Sequence, residues 1–333
     1  MKFAWLCSHE SYQPEDLVRQ AALAEDVGFD VVLSSDHFHP WVDDVSAAGF
    51  AWSWLGAVAS ATARVELGTS VTCPLFHYHP GLVAQASATV ERLSGGRLLL
   101  GLGGGEAINE TPLGWSFPGY RERMARMAEA VEIIRRLHAG EKLDFAGEYY
   151  QTSSAKLYSP PTGPIPMLFA AGGPKSATFA GAHTDGLITS VKEPQDTVER
   201  VIQPFRQAAA ERGADRTYVL ATRWSVLAGD EDEAWTALGS MRGLRAPGRL
   251  ETTDPAVLRQ RADEMDRAEI LDKYAVAAGA EELVEVYRPL VEEIRPDCVS
   301  IQVASADPAK AIELIGEHVL PELRRLDENA ARA

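Results

Sequence analysis

The sequence predicts an α/β fold in which a single (β/α)8 barrel domain takes up residues 1–333. Two observations lead to this prediction. Short apolar runs alternate with longer segments of helical periodicity, which is typical of a parallel sheet covered by helices. There are eight such strand–helix units along the chain, and eight units close a parallel sheet into a barrel. A doubly wound open sheet is the alternative that the same alternation allows.

The first half of the chain supplies four of these units. Strands are predicted over 3–9, 30–38, 65–73 and 97–105. Helices are predicted over 14–29, 50–62, 80–96 and 120–140. Pro14 suits the first turn of its helix, and the glycines at 95 and 96 suit the end of theirs. A small hairpin over 142–152 follows the fourth helix.

The second half supplies the other four units and one additional segment. Strands are predicted over 166–173, 186–191, 217–227 and 298–305. Helices are predicted over about 174–183, 194–212, 279–294 and 307–326. The segment from about 230 to 275 is charged and helical, and it separates the seventh strand from its helix. We interpret it as a helical insertion before the last strand–helix units.

Charge and cysteine content limit the kinds of partner and the compartment that we expect. The 32 basic and 48 acidic residues give a net charge of −16, so neither nucleic acid nor an anionic membrane surface is expected as a partner. An anionic ligand would need a local basic pocket. The three cysteines, Cys7, Cys73 and Cys298, lie far apart, which predicts no disulfide framework and no metal site and favours a reducing cytoplasm. No apolar run approaches the ~18 residues of a membrane span.

Polar or glycine-rich residues follow six of the predicted strands. In chain order they are His9 and Glu10, Asp36 and His37, the segment 69–73, Glu106 and Asn109, Gly172 and Gly173, and the segment 189–192. The active site of a (β/α)8 barrel lies at the carboxyl ends of its strands, so these residues are expected to meet around one mouth. The sequence therefore predicts a single site built from residues far apart in the chain.

Several of these motifs also have a structural interpretation. A histidine after a strand is more often a hydrogen-bonded structural residue than a catalyst, and Glu10 and Glu106 also suit ion-paired loop acids. The stretch "AAGGPKSA" (170–177) is either an anion-binding helix start or a plain turn. The histidines of "FHYHP" (76–80) are interpreted as loop caps. "GLGGGE" (101–106) opens no regular helix and lacks the expected downstream acid, so we reject a dinucleotide-binding fingerprint.

Over nearly its full length the chain resembles the luciferase-like superfamily of flavin- and deazaflavin-dependent enzymes, and within it the coenzyme F420-dependent glucose-6-phosphate dehydrogenase branch. The motifs that carry the resemblance are "SDHFHPW" (35–41), "GTSVTCPLFHYHP" (68–80), "GLGGGEAINE" (101–110), "LDFAGEYY" (143–150) and "AAGGP" (170–174). The resemblance implies a TIM-like barrel of the bacterial luciferase-like type, F420 as the cofactor and a homodimer.

The resemblance also implies roles for individual residues. The catalytic set is His37 as general base, Trp41 beside the reacting carbon, Glu106 as the acid near the deazaflavin ring, and Glu10. Cofactor-binding residues are Asp36, Ser70, Val71, Cys73, Gly105, Asn109, Gly172 and Gly173, with a non-proline cis peptide between Ser70 and Val71. Substrate-binding residues are Thr189, Lys192, Arg249 and Lys273, of which the three basic ones would hold a phosphate.

The chemistry that the resemblance implies is hydride transfer from C1 of a sugar 6-phosphate to C5 of the deazaflavin, giving a lactone and reduced F420. Neutral His37 would take the C1 hydroxyl proton, a task suited to an imidazole that titrates near ~6.5. Protonated Glu106 would support the charge that builds on the deazaflavin. Three alternatives remain: an F420-dependent dehydrogenase of an unphosphorylated alcohol or hemiacetal, an FMN-dependent monooxygenase, and a non-catalytic deazaflavin carrier.

Overall fold

A closed barrel of eight parallel strands forms the centre of the protein, as a computed structural model describes it over residues 1–332. The strands β1 to β8 are Lys2–Cys7, Val31–Ser34, Glu66–Thr69, Leu98–Leu102, Met167–Ala170, Gly186–Ser190, Tyr218–Leu227 and Cys298–Ala304. Each strand pairs in parallel with the next, and β8 pairs with β1 to close the ring. The predicted (β/α)8 fold is therefore confirmed, and the open sheet is excluded.

Helices cover the outside of the barrel at the predicted places. The first five are α1 Pro14–Val27, α2 Ala51–Ala61, α3 Pro80–Ser94, α4 Tyr120–His138 and α5 Pro174–His183. The last three contain π-type turns: Pro194–Thr197 with Val198–Ile202 and Gln203–Glu211, Ala280–Pro289 with Leu290–Ile294, and Pro308–Leu314 with Ile315–Val319 and Leu320–Arg332. Pro14 begins α1, and Gly28 ends it in the left-handed conformation with φ 103°. Leu143–Ala146 and Gln151–Ala155 form the antiparallel hairpin.

Four strands end three or four residues earlier than the sequence predicts. Strand β2 ends at Ser34 rather than at 38, β3 at Thr69 rather than at 73, β4 at Leu102 rather than at 105, and β5 at Ala170 rather than at 173. Beyond these points the chains leave the sheet at the mouth of the barrel, where only Thr72 and Leu102 still form an isolated bridge. The glycine run after β4 leads into one helical turn, Ala107–Glu110, which the sequence did not predict.

The insertion folds over the mouth of the barrel. Its helical segments are Glu231–Ala237, Gly239–Arg245, Pro255–Asp263 and Arg267–Leu271, and a short strand, Ala275–Ala277, then pairs with the end of β7. Apolar residues of the insertion form a cluster with Trp41 and Ile108. Gly243 lies so close to the β2 loop that a Cβ there would stand 2.1 Å from the Trp41 carbonyl oxygen. This packing places the insertion against the loop that carries His37.

An ion-pair cluster also attaches the insertion to the barrel. The Arg242 side chain is 8 % exposed and lies 2.7 Å from an Asp44 carboxylate oxygen and 2.8 Å from one of Asp263.

Within residues 1–332, no helix is both long enough and apolar enough to cross a membrane.

Candidate active site

A cavity of about 540 Å³ opens at the carboxyl end of the barrel. Its walls come from the carboxyl-terminal parts of all eight strands, from the loops that follow them and from the insertion. The predicted site residues that line it are Glu10, Asp36, His37, Trp41, Ser70, Val71, Cys73, Gly105, Glu106, Asn109, Lys192 and Arg249. The structure thus brings together residues that are up to 239 positions apart, counted from Glu10 to Arg249 as 249 − 10.

Four predicted site residues do not line this cavity. Gly172 and Gly173 lie between β5 and the start of α5. Thr189 lies in β6 with its side chain buried, and its hydroxyl has no hydrogen-bond partner among residues 1–332. Lys273 lines a second cavity that adjoins the first. Their predicted roles in binding cofactor or substrate stay predictions.

His37 stands between two carboxylates. Its Nε2 lies 3.8 Å from a Glu106 carboxylate oxygen and 4.0 Å from one of Glu10. Its Nδ1 lies 3.2 Å from the carbonyl oxygen of His39, which can only accept. With the proton on Nδ1 donated to that carbonyl, the Nε2 lone pair faces the carboxylates and the cavity. Trp41 packs edge-on against the imidazole, with 5.1 Å between ring centroids.

The surroundings of His37 raise its pKa above the usual 6.5. Burial alone would lower the pKa, because it disfavours the charged ring. The negative charges of Glu10 and Glu106, the His39 carbonyl and the Asp36 carboxylate together outweigh burial. The imidazole therefore keeps its proton to a higher pH than a free histidine does, unlike the unshifted imidazole that the sequence led us to expect.

Loops from different strands hold this arrangement in place. The amide oxygen of Asn109 accepts from the backbone N–H groups of Phe38 and His39, at 3.0 and 3.3 Å. Its amide nitrogen lies 3.3 Å from His37 Nδ1 and can donate there only when that nitrogen carries no proton, so this contact and the one with the His39 carbonyl favour opposite ring tautomers. Ser35 donates a hydrogen bond to the buried carboxylate of Glu10. Two neighbouring strand ends and the β4 loop therefore fix the position of the imidazole.

A second group of polar side chains lines the cavity next to Asp36. Thr72 and Tyr78 donate to the Asp36 carboxylate, the latter at 3.2 Å. Burial is the main cause that raises the Asp36 pKa, and these hydrogen bonds oppose it. His77 Nδ1 lies 2.7 Å from a carboxylate oxygen of Glu110. Both residues line the cavity, although the sequence suggested only a loop cap at His77 and nothing for Glu110.

His79 does act as the predicted cap. Its side chain accepts from the backbone N–H of Gly81 at the first turn of α3. The two histidines of one motif therefore have different surroundings, and the sequence spacing alone does not separate them.

One wall of the cavity is built from backbone and fits a flat ring. A Cβ on Gly103 would stand 2.3 Å from Val71 Cγ2, and one on Gly105 would stand 2.7 Å from Cys73 Sγ. The glycine run therefore lies directly against the segment that contains the cis peptide bond between Ser70 and Val71. The buried Gln302 also lines the cavity, and in the described part of the chain its amide oxygen has no hydrogen-bond partner. These features suit a planar ligand that carries N–H or O–H groups.

Basic residues are unevenly placed around the two cavities. The second cavity, of about 320 Å³, is lined by Lys192, Arg223, Arg245 and Lys273 and by two acids, Glu193 and Asp272. Lys192 and Arg245 also line the central cavity, so the two spaces share a wall. Arg249 lies 3.2 Å from Glu106, and its guanidinium stands 5.7 Å from the Trp41 ring centroid. Among residues 1–332, no group of three or more His, Cys, Asp or Glu is arranged to hold a metal ion.

Comparisons with known proteins match this chain to one family, and the matched relatives have different substrates. The family model described as luciferase-like monooxygenase matches residues 1–297. An F420-dependent glucose-6-phosphate dehydrogenase of Nakamurella multipartita is 34 % identical, over 98 % of this chain and 97 % of its own. An F420-dependent hydroxymycolic acid dehydrogenase of Mycobacterium tuberculosis is 35 % identical, over 95 % and 87 %.

A solved structure of another F420-dependent enzyme is also similar to this chain. It is an F420-dependent secondary alcohol dehydrogenase in complex with an F420–acetone adduct, and it is 33 % identical to this chain. The two superpose with a TM-score of 0.89 over 97 % of this chain and 99 % of the other. These relatives are dehydrogenases of glucose 6-phosphate, of hydroxymycolic acid and of a secondary alcohol, and each of them depends on F420.

Proposed function

This chain belongs to the luciferase-like monooxygenase family, and from that premise we propose that it is an F420-dependent dehydrogenase that oxidises C1 of a sugar 6-phosphate, with glucose 6-phosphate the leading candidate. The observation that carries the proposal is the placement of His37 between Glu10 and Glu106 at a cavity whose wall continues into a cluster of basic residues. A base beside the oxidised carbon and cations for a phosphate are what this reaction requires.

The cavity residues suit F420. Backbone at Gly103–Gly105 and at Ser70–Val71 would flank the deazaflavin, and Asp36, Cys73 and Asn109 would hold its edges. When bound, F420 supplies a hydride acceptor at C5 of the deazaflavin. Gly172 and Gly173, at the start of α5, are proposed to receive its phosphate-bearing tail. FMN is the alternative cofactor, and the F420-dependent relatives favour the deazaflavin.

Residues of this chain carry out the other steps of the proposed reaction. His37 Nε2 takes the proton of the C1 hydroxyl, which leaves the electron pair of the C–H bond free to depart as hydride. Glu10, buried and bonded to Ser35, stabilises the imidazolium that results. Glu106 is a carboxylate beside Arg249 and His37 when the cavity is empty, so it first takes up a proton and then donates it on the cofactor side. Trp41 is buried and, with the insertion above it, excludes water from the imidazole.

An uncharged secondary alcohol is the second candidate substrate, because the solved alcohol dehydrogenase superposes with a TM-score of 0.89. One assay tests both candidate substrate classes. The protein is mixed with oxidised F420 and a panel of sugar phosphates and alcohols, and the loss of deazaflavin absorbance is followed. We expect the fastest bleaching with a sugar 6-phosphate. Bleaching with neutral alcohols alone would refute the sugar-phosphate proposal, and oxygen consumption with bound FMN would refute both.

Lys192→Ala separates the two substrate classes. Lys192 lines both cavities, so its loss should raise KM for the sugar phosphate by about tenfold or more, the usual effect of losing a hydrogen bond to a charged group. The KM for an uncharged alcohol should change little. Steady-state kinetics on both substrates measure the two effects. Equal changes in both would mean that Lys192 does not contact a phosphate.

We also propose a homodimer. An apolar groove of about 420 Å³ lies between α2 and α3 and exposes Phe50, Leu82 and Leu93, each more than half exposed. Neither helix carries a charge on the lining of this groove, although the chain has a net charge of −16, so two copies can meet there without charge repulsion. Light scattering should give twice the 36.1 kDa of one chain. A mass of one chain at micromolar concentration would contradict the dimer.

The cytoplasm is the proposed location, supported by the three free cysteines, two of them buried. Fractionation of the host cells tests it, and recovery outside the cytoplasm would contradict it.

A further inference from the structure

A row of three hydroxyl groups crosses the inside of the barrel below the central cavity. Strand pairing places Ser190 of β6 next to Thr222 of β7, and Thr222 next to Ser300 of β8. The hydroxyl oxygens of Thr222 and Ser300 are fully shielded from solvent, as is the amide oxygen of Gln302, two residues beyond Ser300. Within residues 1–332, none of these three oxygens has a hydrogen-bond partner. Buried polar groups are normally hydrogen-bonded, so this arrangement points to a ligand.

The side chains of Thr222 and Ser300 face the interior of the barrel. Leu220 and Cys298 belong to an apolar cluster whose buried members all lie on strands, which places that cluster inside the ring. Successive side chains of a strand point to opposite faces, so residues two positions apart share a face. Thr222 and Ser300 therefore point inward, and Gln302 does so one level nearer the cavity, which it lines.

The spacing of the row suits a single oxygen atom between two hydroxyls. Neighbouring strands lie ~4.8 Å apart, whereas a hydrogen bond between hydroxyls spans ~2.8 Å. Thr222 and Ser300 are thus too far apart to bond each other, but one water between them can bond both and the Gln302 oxygen above. About three polar partners are what a buried water usually has. Such a water holds the amide from below and leaves its N–H groups for the cavity.

Gln302 also lies between the groups that act on the two ends of the proposed substrate. Strand β8 stands between β7 and β1 in the ring. His37 follows β2 and Lys192 follows β6, so the path between them along β7, β8 and β1 passes Gln302. The proposed cofactor wall follows β3 and β4, on the other side of the ring. A sugar 6-phosphate with C1 at His37 and its phosphate near Lys192 brings the hydroxyls of C2, C3 and C4 towards Gln302.

We infer that Gln302, supported by a water that Thr222 and Ser300 hold, binds a ring hydroxyl of the substrate and so selects a polyhydroxylated substrate over a simple alcohol. The substrate class in this inference rests on the proposed function. An amide donates and accepts hydrogen bonds, as a sugar hydroxyl does. Trp224 pairs with Gln302 in register and gives the cavity an apolar surface beside the amide. A simple alcohol leaves the amide unpaired, and a site built for a hydrogen bond rejects ligands that lack the group.

The cofactor also carries N–H and O–H groups, and water alone is a third source of a partner for the amide. The position of Gln302 across the ring from the cofactor wall favours the substrate. The Kd of F420 distinguishes the cofactor from the substrate. Substrate analogues that lack one hydroxyl distinguish the substrate from water.

Gln302→Met tests the inference, because it removes the amide at nearly constant size. Gln203→Met, at an exposed position on an outer helix, is the matched control. The substrates are glucose 6-phosphate and its 2-deoxy, 3-deoxy and 4-deoxy analogues, and a neutral pair, cyclohexanol and trans-cyclohexane-1,2-diol. The measurements are kcat/KM for each substrate and the Kd of F420. Thermal unfolding confirms that each variant is folded.

In the unsubstituted protein, one of the deoxy analogues should have a kcat/KM about tenfold below that of glucose 6-phosphate, the order expected for one hydrogen bond. Gln302→Met should lose a similar factor with glucose 6-phosphate and show no further loss with that analogue. The diol should be preferred to cyclohexanol only while Gln302 is present. The Kd of F420 should not change, and Gln203→Met should change none of these quantities.

Thr222→Val and Ser300→Ala test the support beneath the amide. Each removes one hydroxyl and should reduce the same preference by a few-fold, whereas Thr222→Ser keeps the hydroxyl and should retain the preference. A crystal structure of the unsubstituted protein should show a water bonded to both hydroxyls. If Gln302→Met does not fold, Gln302→Asn, which withdraws the amide by one methylene, replaces it with the same expectation.

Other outcomes would overturn the inference. Equal kcat/KM for glucose 6-phosphate and all three deoxy analogues, or a preference that survives in Gln302→Met, would refute it while the proposed function stands. A weaker Kd for F420 in Gln302→Met with an unchanged preference would assign the amide to the cofactor. No effect of Thr222→Val and Ser300→Ala would refute the role of the hydroxyl row. If no sugar phosphate is oxidised, the proposed function fails, and the neutral pair decides the inference: a preference for the diol that depends on Gln302 supports it, and the lack of one refutes it.

Discussion

His37→Ala is expected to lower kcat by about 10²- to 10⁴-fold, the usual contribution of a group that transfers a proton. The methyl group cannot take the hydroxyl proton. The groups beside the imidazole are the His39 carbonyl at 3.2 Å, the Asn109 amide nitrogen at 3.3 Å and the carboxylates of Glu106 and Glu10 at 3.8 and 4.0 Å, and none of them is a second imidazole. Steady-state rates of F420 reduction at saturating substrate measure the loss. F420 affinity should fall little, because the cofactor wall is formed by other residues.

The control for this prediction is His318→Ala, on an outer helix where the side chain is 57 % exposed. It should leave kcat unchanged. A kcat for His37→Ala within a few-fold of the unsubstituted enzyme would show that His37 is not the base.

Glu106→Gln is expected to lower kcat by about a hundredfold or more, since an amide cannot donate the proton that we assign to this carboxyl group. The substitution should also shift the pH dependence of kcat/KM. His37 acts when deprotonated, and Glu106 helps to hold its pKa above 6.5. In the unsubstituted enzyme kcat/KM should therefore fall as the pH drops through that raised pKa. Removing one negative charge lowers the pKa, so the fall should occur at a lower pH in the variant.

Glu10→Gln distinguishes the proton donation that we assign to Glu106 from the effect of Glu106 on the His37 pKa. Glu10 also raises the His37 pKa, so its loss should shift the acidic limb in the same direction. We assign Glu10 no proton transfer to the cofactor, so the loss in kcat should be smaller. Profiles of kcat/KM from about pH 5 to 9 measure both. An acidic limb that stays in place or moves to higher pH in Glu106→Gln would contradict the assignment.

The sequence predicted the barrel because each strand and helix is encoded locally. Buried parallel strands are continuous apolar runs, and helices have their own period, so eight alternating units could be counted. The position of the site followed from the barrel rule, since residues after strand ends meet at one mouth. The sequence analysis overestimated the lengths of β2, β3, β4 and β5. The residues that follow these strands are mostly polar or glycine, and they leave the sheet to line the mouth of the barrel instead of extending the strands.

The basic residues show where sequence reasoning fails. Lys192 was predicted because it directly follows β6. Arg223 and Arg245 also line the second cavity and were not singled out. The approach of Arg245 depends on how the insertion folds back over β7, which no local pattern encodes. For the same reason the contact of Arg249 with Glu106 was not foreseen, and the phosphate role predicted for Arg249 stays a prediction. Glu110 was missed because its partner, His77, lies 33 positions away.

The central claim is that the cavity around His37 and Gly103–Gly105 binds F420. Titration of the protein with F420, followed by the change in deazaflavin fluorescence, tests it most directly. We predict saturable binding of one F420 per chain, with an affinity that survives His37→Ala and far exceeds that for FMN. No saturable binding of F420, or tighter binding of FMN, would contradict the account.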